Sequence, residues 1–147
     1  MNAPDLTKQA PRSPRCRLGG YALLPRMLDK CRAEIAGKSG EYHYNCPLDQ
    51  RFLSFVGVDA EHLKTEVAKG LGDGEALEWI TSHSQNRRNP WEIEEWSAWR
   101  DRAVPTDHES RAFFNELHEK AASHRADVAT WADLLDLDDF VSFGGKA

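Results

Sequence analysis

The stretch from Pro47 to Asp73, PLDQRFLSFVGVDAEHLKTEVAKGLGD, decides the fold class, because helix starts and stops punctuate it throughout. Pro47 suits a first helical position, where its missing N–H leaves no bond unmade. Leu48, Phe52, Phe55 and Val56 follow as the apolar positions of that helix, and Gly57 supplies its left-handed stop. Asp59 caps the next segment, which carries Leu63 and Val67 towards Gly70. Asp73 reads as the cap of a further helix, with Leu77 and Ile80 facing inward.

The same punctuation continues in both directions. Upstream, Pro25 opens a helix from Leu24 to Ala36 whose stripe is Leu24, Met27, Leu28, Cys31 and Ile35, with Gly37 as its stop. Between the two prolines, Gly40 to Asn45 is the least helical segment. Tyr42 and Tyr44 alternate there with His43 and Asn45, as in a short extended piece. Downstream, Asn89, Pro90 and Glu92 read as cap, first position and capping-box partner of a fifth helix. Its Trp91, Trp96 and Trp99 are too spread to share one narrow stripe. Thr106 with Glu109 predicts the start of a sixth helix bearing Phe113, Phe114, Leu117 and Ala121. Thr130 with Asp133 starts a seventh, with Trp131, Leu134 and Leu135, and residues 140–147 carry no helical signal. Connections are short and no strand pair is apparent. The expected fold is all-α, a single domain of about seven short helices. Residues 1–20, with Pro4, Pro11 and Pro14, form an extended arm lying over a helical domain of residues 21–147.

At 147 residues the chain is long enough to bury a core without disulfides. Its 40% hydrophobic residues exclude wholesale disorder. No apolar run reaches the ~18 residues of a membrane span, and Met1 to Ala10 lacks the apolar region of a secretory signal. Three cysteines, at 16, 31 and 46, are an odd number and too few for a disulfide framework, so a cytoplasmic location is expected. Net charge is −5, unevenly spread. Residues 1–32 hold seven basic side chains against Asp5 and Asp29, a net +5, which leaves −10 on the rest. That acidic remainder argues against nucleic acid as a partner. The basic end is expected to dock on the chain's own acidic side, and Asp133, Asp136, Asp138 and Asp139 offer it a partner.

The chemistry-bearing stretch is Glu41 to Arg51. With Pro47 as first helical residue, Cys46 is the N-cap, where the positive end of the helix favours a thiolate. His43 is placed to act as its base. Tyr42, Tyr44 and Arg51, joined by Arg17 and Arg26 from the basic end, are expected to orient a small anionic ligand. Asp49 on the same turn opposes the thiolate. The competing reading makes Cys46 a small packed hydrophobe at a helix start. No histidine and cysteine spacing fits a metal, and no glycine-rich phosphate loop is present, so neither metal nor cofactor is expected. The expected function is a small-molecule site, with a thiol-dependent enzyme as its sharpest form. The alternative is an interaction or homodimer module built on the tryptophan-rich helix of residues 90–102.

Several motifs act together as a signature. They are Asp5-Leu6-Thr7-Lys8, Pro11-Arg12-Ser13-Pro14-Arg15, Leu18-Gly19-Gly20-Tyr21, Leu24-Pro25-Arg26, Asp29-Lys30, Gly40-Glu41-Tyr42, Cys46-Pro47-Leu48-Asp49 and Arg51-Phe52-Leu53. This combination resembles an uncharacterised bacterial family, the domain of unknown function 5069, over nearly the whole chain. The resemblance implies a stand-alone helical cytoplasmic protein. It brings no activity, cofactor or catalytic residue to carry over.

Overall fold

A computed structural model describes residues 2–147. Among the described residues, a hairpin of two-residue strands, β1 (Arg17–Leu18) with β2 (Tyr21–Ala22), precedes seven helices. These are α1 (Leu24–Ile35), α2 (Pro47–Val56), α3 (Ala60–Val67), α4 (Asp73–His83), α5 (Pro90–Arg102), α6 (His108–Ala122) and α7 (Trp131–Ser142). The mainly helical single domain expected from the sequence is what the chain forms.

Two apolar cores build it. The larger gathers Leu24, Met27, Leu28, Phe52, Leu63 and Ile80 from α1 to α4, with Trp96 of α5 against its edge. The smaller joins α6 to α7 through Phe114, Val128, Leu134 and Leu137. Phe52 and Phe114 are both essentially inaccessible, and each buried ring of this kind contributes on the order of 1.5–3 kcal/mol.

Helix α1 runs through the middle, and residues 24 to 33 are all buried although Arg26, Asp29, Lys30 and Arg32 are among them. Each of these charges has an opposite partner drawn from elsewhere in the chain. Arg26 meets Asp139 at 2.6 Å, Asp29 meets Arg12 at 2.8 Å, Lys30 meets Asp49 at 2.8 Å and Arg32 meets Asp73 at 2.7 Å. Burial of an unpaired charge costs several kcal/mol, so these partners are a condition of the helix being central. The arm follows the same logic. Arg15 pairs with Asp133 and Asp136, and the arm's own Leu6, Pro11 and Pro14 are buried. Of the basic end, Arg15 and Arg26 therefore meet the acidic helix α7, while Arg12 and Arg17 pair with Asp29, Asp73 and Asp101.

Local departures from expectation have local causes. The hairpin was not anticipated; Gly19 (φ 59°) and Gly20 (φ 83°) supply the two left-handed residues that a tight turn needs. The alternating segment at Tyr42 forms turns, not a strand: Tyr42 N–H donates to Ser39, and Asn45 is left-handed at φ 60°. Asp73 is the first residue of α4 and Gly72 the cap, because the Asp73 carboxylate is taken by Arg12 and Arg32. Asp107, not Thr106, caps α6, its carboxylate accepting from the Ser110 N–H at 2.7 Å. Helix α7 continues to Ser142, where Val141 still packs on the smaller core.

Candidate functional site

A cavity of about 670 Å³ opens where the two cores meet. Leu6 and Thr7 of the arm, Arg26 and Lys30 of α1, the turn from Gly40 to His43 with Cys46, and Leu135 and Asp138 of α7 contribute its walls. Leu48 and Phe143 add apolar surface, so the lining is amphipathic.

Cys46 occupies the N-cap of α2 with extended backbone (φ −71°, ψ 170°). Left-handed Asn45, a residue type that tolerates αL, turns the chain into that position. The sulfur makes no bond to the helix N–H groups. Its partner is Lys30, whose Nζ donates to Sγ at 3.2 Å. Lys30 in turn lies 2.8 Å from Asp49 Oδ1, with side-chain exposures of 5% and 0%. That oxygen lacks an aligned hydrogen bond, so the contact is an ion pair held by proximity. Asp49 Oδ2 accepts from the Asn45 N–H at 2.9 Å. Burial pushes the Asp49 carboxyl upward, against the pull of Lys30 and these backbone donors. Cys46, Lys30 and Asp49 thus form a line from the cavity wall into the core: a thiol, an ammonium in contact with it and the buried carboxylate that holds the ammonium.

A second polar group closes the roof. Tyr42 donates its hydroxyl to Asp139 Oδ1 at 2.7 Å, Arg26 pairs with the same carboxylate, and its guanidinium lies 5.6 Å from the Tyr42 ring centre. Burial first, and then the bond to Asp139, pushes the Tyr42 hydroxyl well above its usual range. Asp138 lines the cavity, and its carboxyl is pushed up by burial and then by neighbouring Asp139.

Of the seven residues singled out in the sequence, Cys46, His43, Tyr42 and Arg26 line this one cavity. Tyr44, Arg51 and Arg17 do not. Tyr44 is buried in the larger core, its hydroxyl donating to the Ala60 carbonyl at 2.8 Å. Arg51 lies exposed on α2, and Arg17 on β1 pairs with Asp101 at 2.6 Å. His43 is exposed at the cavity mouth, while the sulfur's contact is with Lys30. Lys30, Asp139 and the supporting role of Asp49 were missed. Arg26 and Lys30 stand four residues apart, hence on one face of α1, and that spacing was the available signal. Nothing local indicated which acids would meet them.

Comparison with known families adds one finding. The family model described as domain of unknown function (DUF5069) matches residues 8–141. The chain belongs to this family. The DUF5069 match takes in Lys30, Tyr42, Cys46, Asp49 and Asp139, while Leu6, Thr7, Ser142 and Phe143 at the cavity rim fall outside it. None of the curated proteins matches the chain in sequence. No helix among the described residues is long and apolar enough to cross a membrane, and no group of three or more His, Cys, Asp or Glu side chains among them fits a metal ion.

Proposed function

We propose that this DUF5069 chain is a thiol-dependent small-molecule protein whose site is the cavity between the two cores. The observation that carries the reading is the 3.2 Å contact from Lys30 Nζ to Cys46 Sγ at the cavity wall. Negative charge arriving on that sulfur meets a cation already in place, and Asp49 keeps the cation there. Attack by Cys46 on an electrophilic carbon, with the Lys30 ammonium giving a proton to the departing group and taking up the one the thiol gives up, is the chemistry this arrangement supports. The cavity's cations, Arg26 and Lys30, are matched by Asp139 and Asp49. The site therefore offers donors more than net positive charge. It suits a small amphipathic ligand whose polar end is a carboxylate, a narrower form of the anionic ligand expected from the sequence, or a neutral carbonyl, which departs from that expectation. Three free cysteines support a reducing, cytoplasmic setting, in a bacterial cell as the family resemblance implies. The test is turnover of a panel of small thioesters and activated esters by the purified protein, Cys46→Ala and Lys30→Met. Activity lost in Cys46→Ala and reduced in Lys30→Met is expected. Equal turnover in Cys46→Ala overturns the reading, as does failure of every panel member to acylate Cys46.

A second reading rests on α5. Trp96 stacks on Phe55 at the larger core, whereas Trp91 and Trp99 are 68% and 44% exposed. Pairing of two copies through this helix would cover both rings. Sedimentation showing a dimer that Trp91→Ser dissociates supports it, and a monomer at all concentrations overturns it.

A further inference from the structure

The Lys30–Cys46 contact has a consequence under oxidising conditions that does not depend on any ligand. Both side chains line the cavity, so a small hydroperoxide entering it reaches the sulfur. All three cysteines are free, and Cys31 is fully buried within the larger core. No disulfide joins Cys46 to either of the other two thiols. The nucleophile in contact with the sulfur is the Lys30 nitrogen, itself 4% exposed and fixed by Asp49 at 2.8 Å.

We infer that Cys46 and Lys30 form an oxidative modification site, closing to a covalent sulfur–nitrogen bridge when a hydroperoxide oxidises the thiol. In the first step the sulfur takes the distal oxygen of the hydroperoxide, whose O–O bond breaks. The products are Cys46 sulfenic acid and the corresponding alcohol or water; sulfur is oxidised by two electrons and the peroxide reduced. In the second step Lys30 gives up the ammonium proton to Asp49, which stands in contact with it. The neutral nitrogen attacks sulfur, the S–O bond breaks, and the hydroxyl leaves as water with one of the two amine hydrogens, the other staying on the bridging nitrogen. No further electrons move. A thiol reductant attacks the bridged sulfur, returns the proton to nitrogen and so restores Lys30, then releases Cys46 as the reductant becomes its own disulfide. The bridge ties α1 to the start of α2, removes the nucleophile from the cavity and protects it from irreversible oxidation.

The test is peptide mapping by mass spectrometry of the intact wild-type protein after exposure to hydrogen peroxide, with and without later thiol reduction. The expected product joins the peptides carrying Cys46 and Lys30 with the loss of two hydrogens, and reduction returns both peptides unmodified. In the Lys30→Met, Asp49→Asn double variant, which leaves no unpaired buried charge, Cys46 is expected to pass to sulfinic acid. Wild-type Cys46 passing to sulfinic acid at the double variant's rate, with no linked peptides, would overturn the inference. So would a Cys46 that peroxide leaves unmodified. Ester turnover by the reduced protein is untouched by either result, so this inference and the proposed function fail separately.

Discussion

Arg26 on α1 and Asp139 on α7 form an ion pair of 2.6 Å whose two side chains are almost wholly buried. The pair bridges the two apolar cores and forms the roof of the cavity. Asp139→Ala leaves the Arg26 guanidinium buried without its carboxylate, at a cost of about 3–5 kcal/mol. Tyr42 also loses its acceptor. Urea unfolding is expected to show that loss, whereas Asp138→Ala, at a site with no ion pair, changes stability little.

Acid is expected to loosen the arm. Hydrogen bonds from Arg12, and then from Arg32, hold the Asp73 carboxyl below its ordinary value of 3.8. A carboxylate depressed in the folded state stabilises fully above its unfolded value, and that contribution is lost as pH falls through the folded one. The melting temperature should therefore drop only below about pH 4. Asp73→Asn flattens the drop, and added salt lowers the plateau above it, because Asp73 and Arg12 are partly exposed.

Alkali acts through Cys31. Burial pushes its thiol from 9.0 up to about 12. Between those values the unfolded chain ionises while the folded one keeps its proton, so stability falls with rising pH by about 1.4 kcal/mol per unit. Unfolding midpoints measured from pH 8 upward are expected to fall more steeply in the wild type than in Cys31→Ala. An identical slope in both would place the effect elsewhere.

Tyr44 separates packing from site chemistry. Tyr44→Phe removes one buried hydrogen bond to the Ala60 carbonyl, at a cost of roughly 0.5–1.5 kcal/mol, because that carbonyl lies in the first turn of α3 and keeps its helical bond. Thiol reactivity at Cys46 is expected to stay unchanged in this variant. Tyr42→Phe leaves Asp139 without its tyrosine donor and should alter the cavity.

The helices were legible because their signals are local. Pro25, Pro47 and Pro90 open helices where expected, and Gly57 (φ 69°), Asn89 and Thr130 act at their predicted ends. Two caps were exceptions: Asp73 gives its carboxylate to Arg12 and Arg32 and leaves Gly72 as the cap, and Asp107-x-x-Ser110 overlaps Thr106-x-x-Glu109, where the carboxylate wins. The site was legible only in part. Cys46 follows from Pro47, and the turn brings Tyr42 and His43 to the same cavity. Lys30 looked like one more member of a basic run, because its partner Asp49 is nineteen residues away and its role depends on burial. Asp139, more than a hundred residues from Arg26, was visible as one acid of four but not as the one that enters the roof. Long-range ion pairing in a buried helix leaves no periodicity to read.

The central claim is that Cys46 is an accessible nucleophile set against Lys30. A brief alkylation pulse on the native protein near pH 7, read residue by residue by mass spectrometry, tests it most directly. Cys46 should label faster than Cys16 and much faster than buried Cys31, and its rate should fall in the Lys30→Met, Asp49→Asn variant. A Cys46 that stays unlabelled until the protein unfolds would contradict the account.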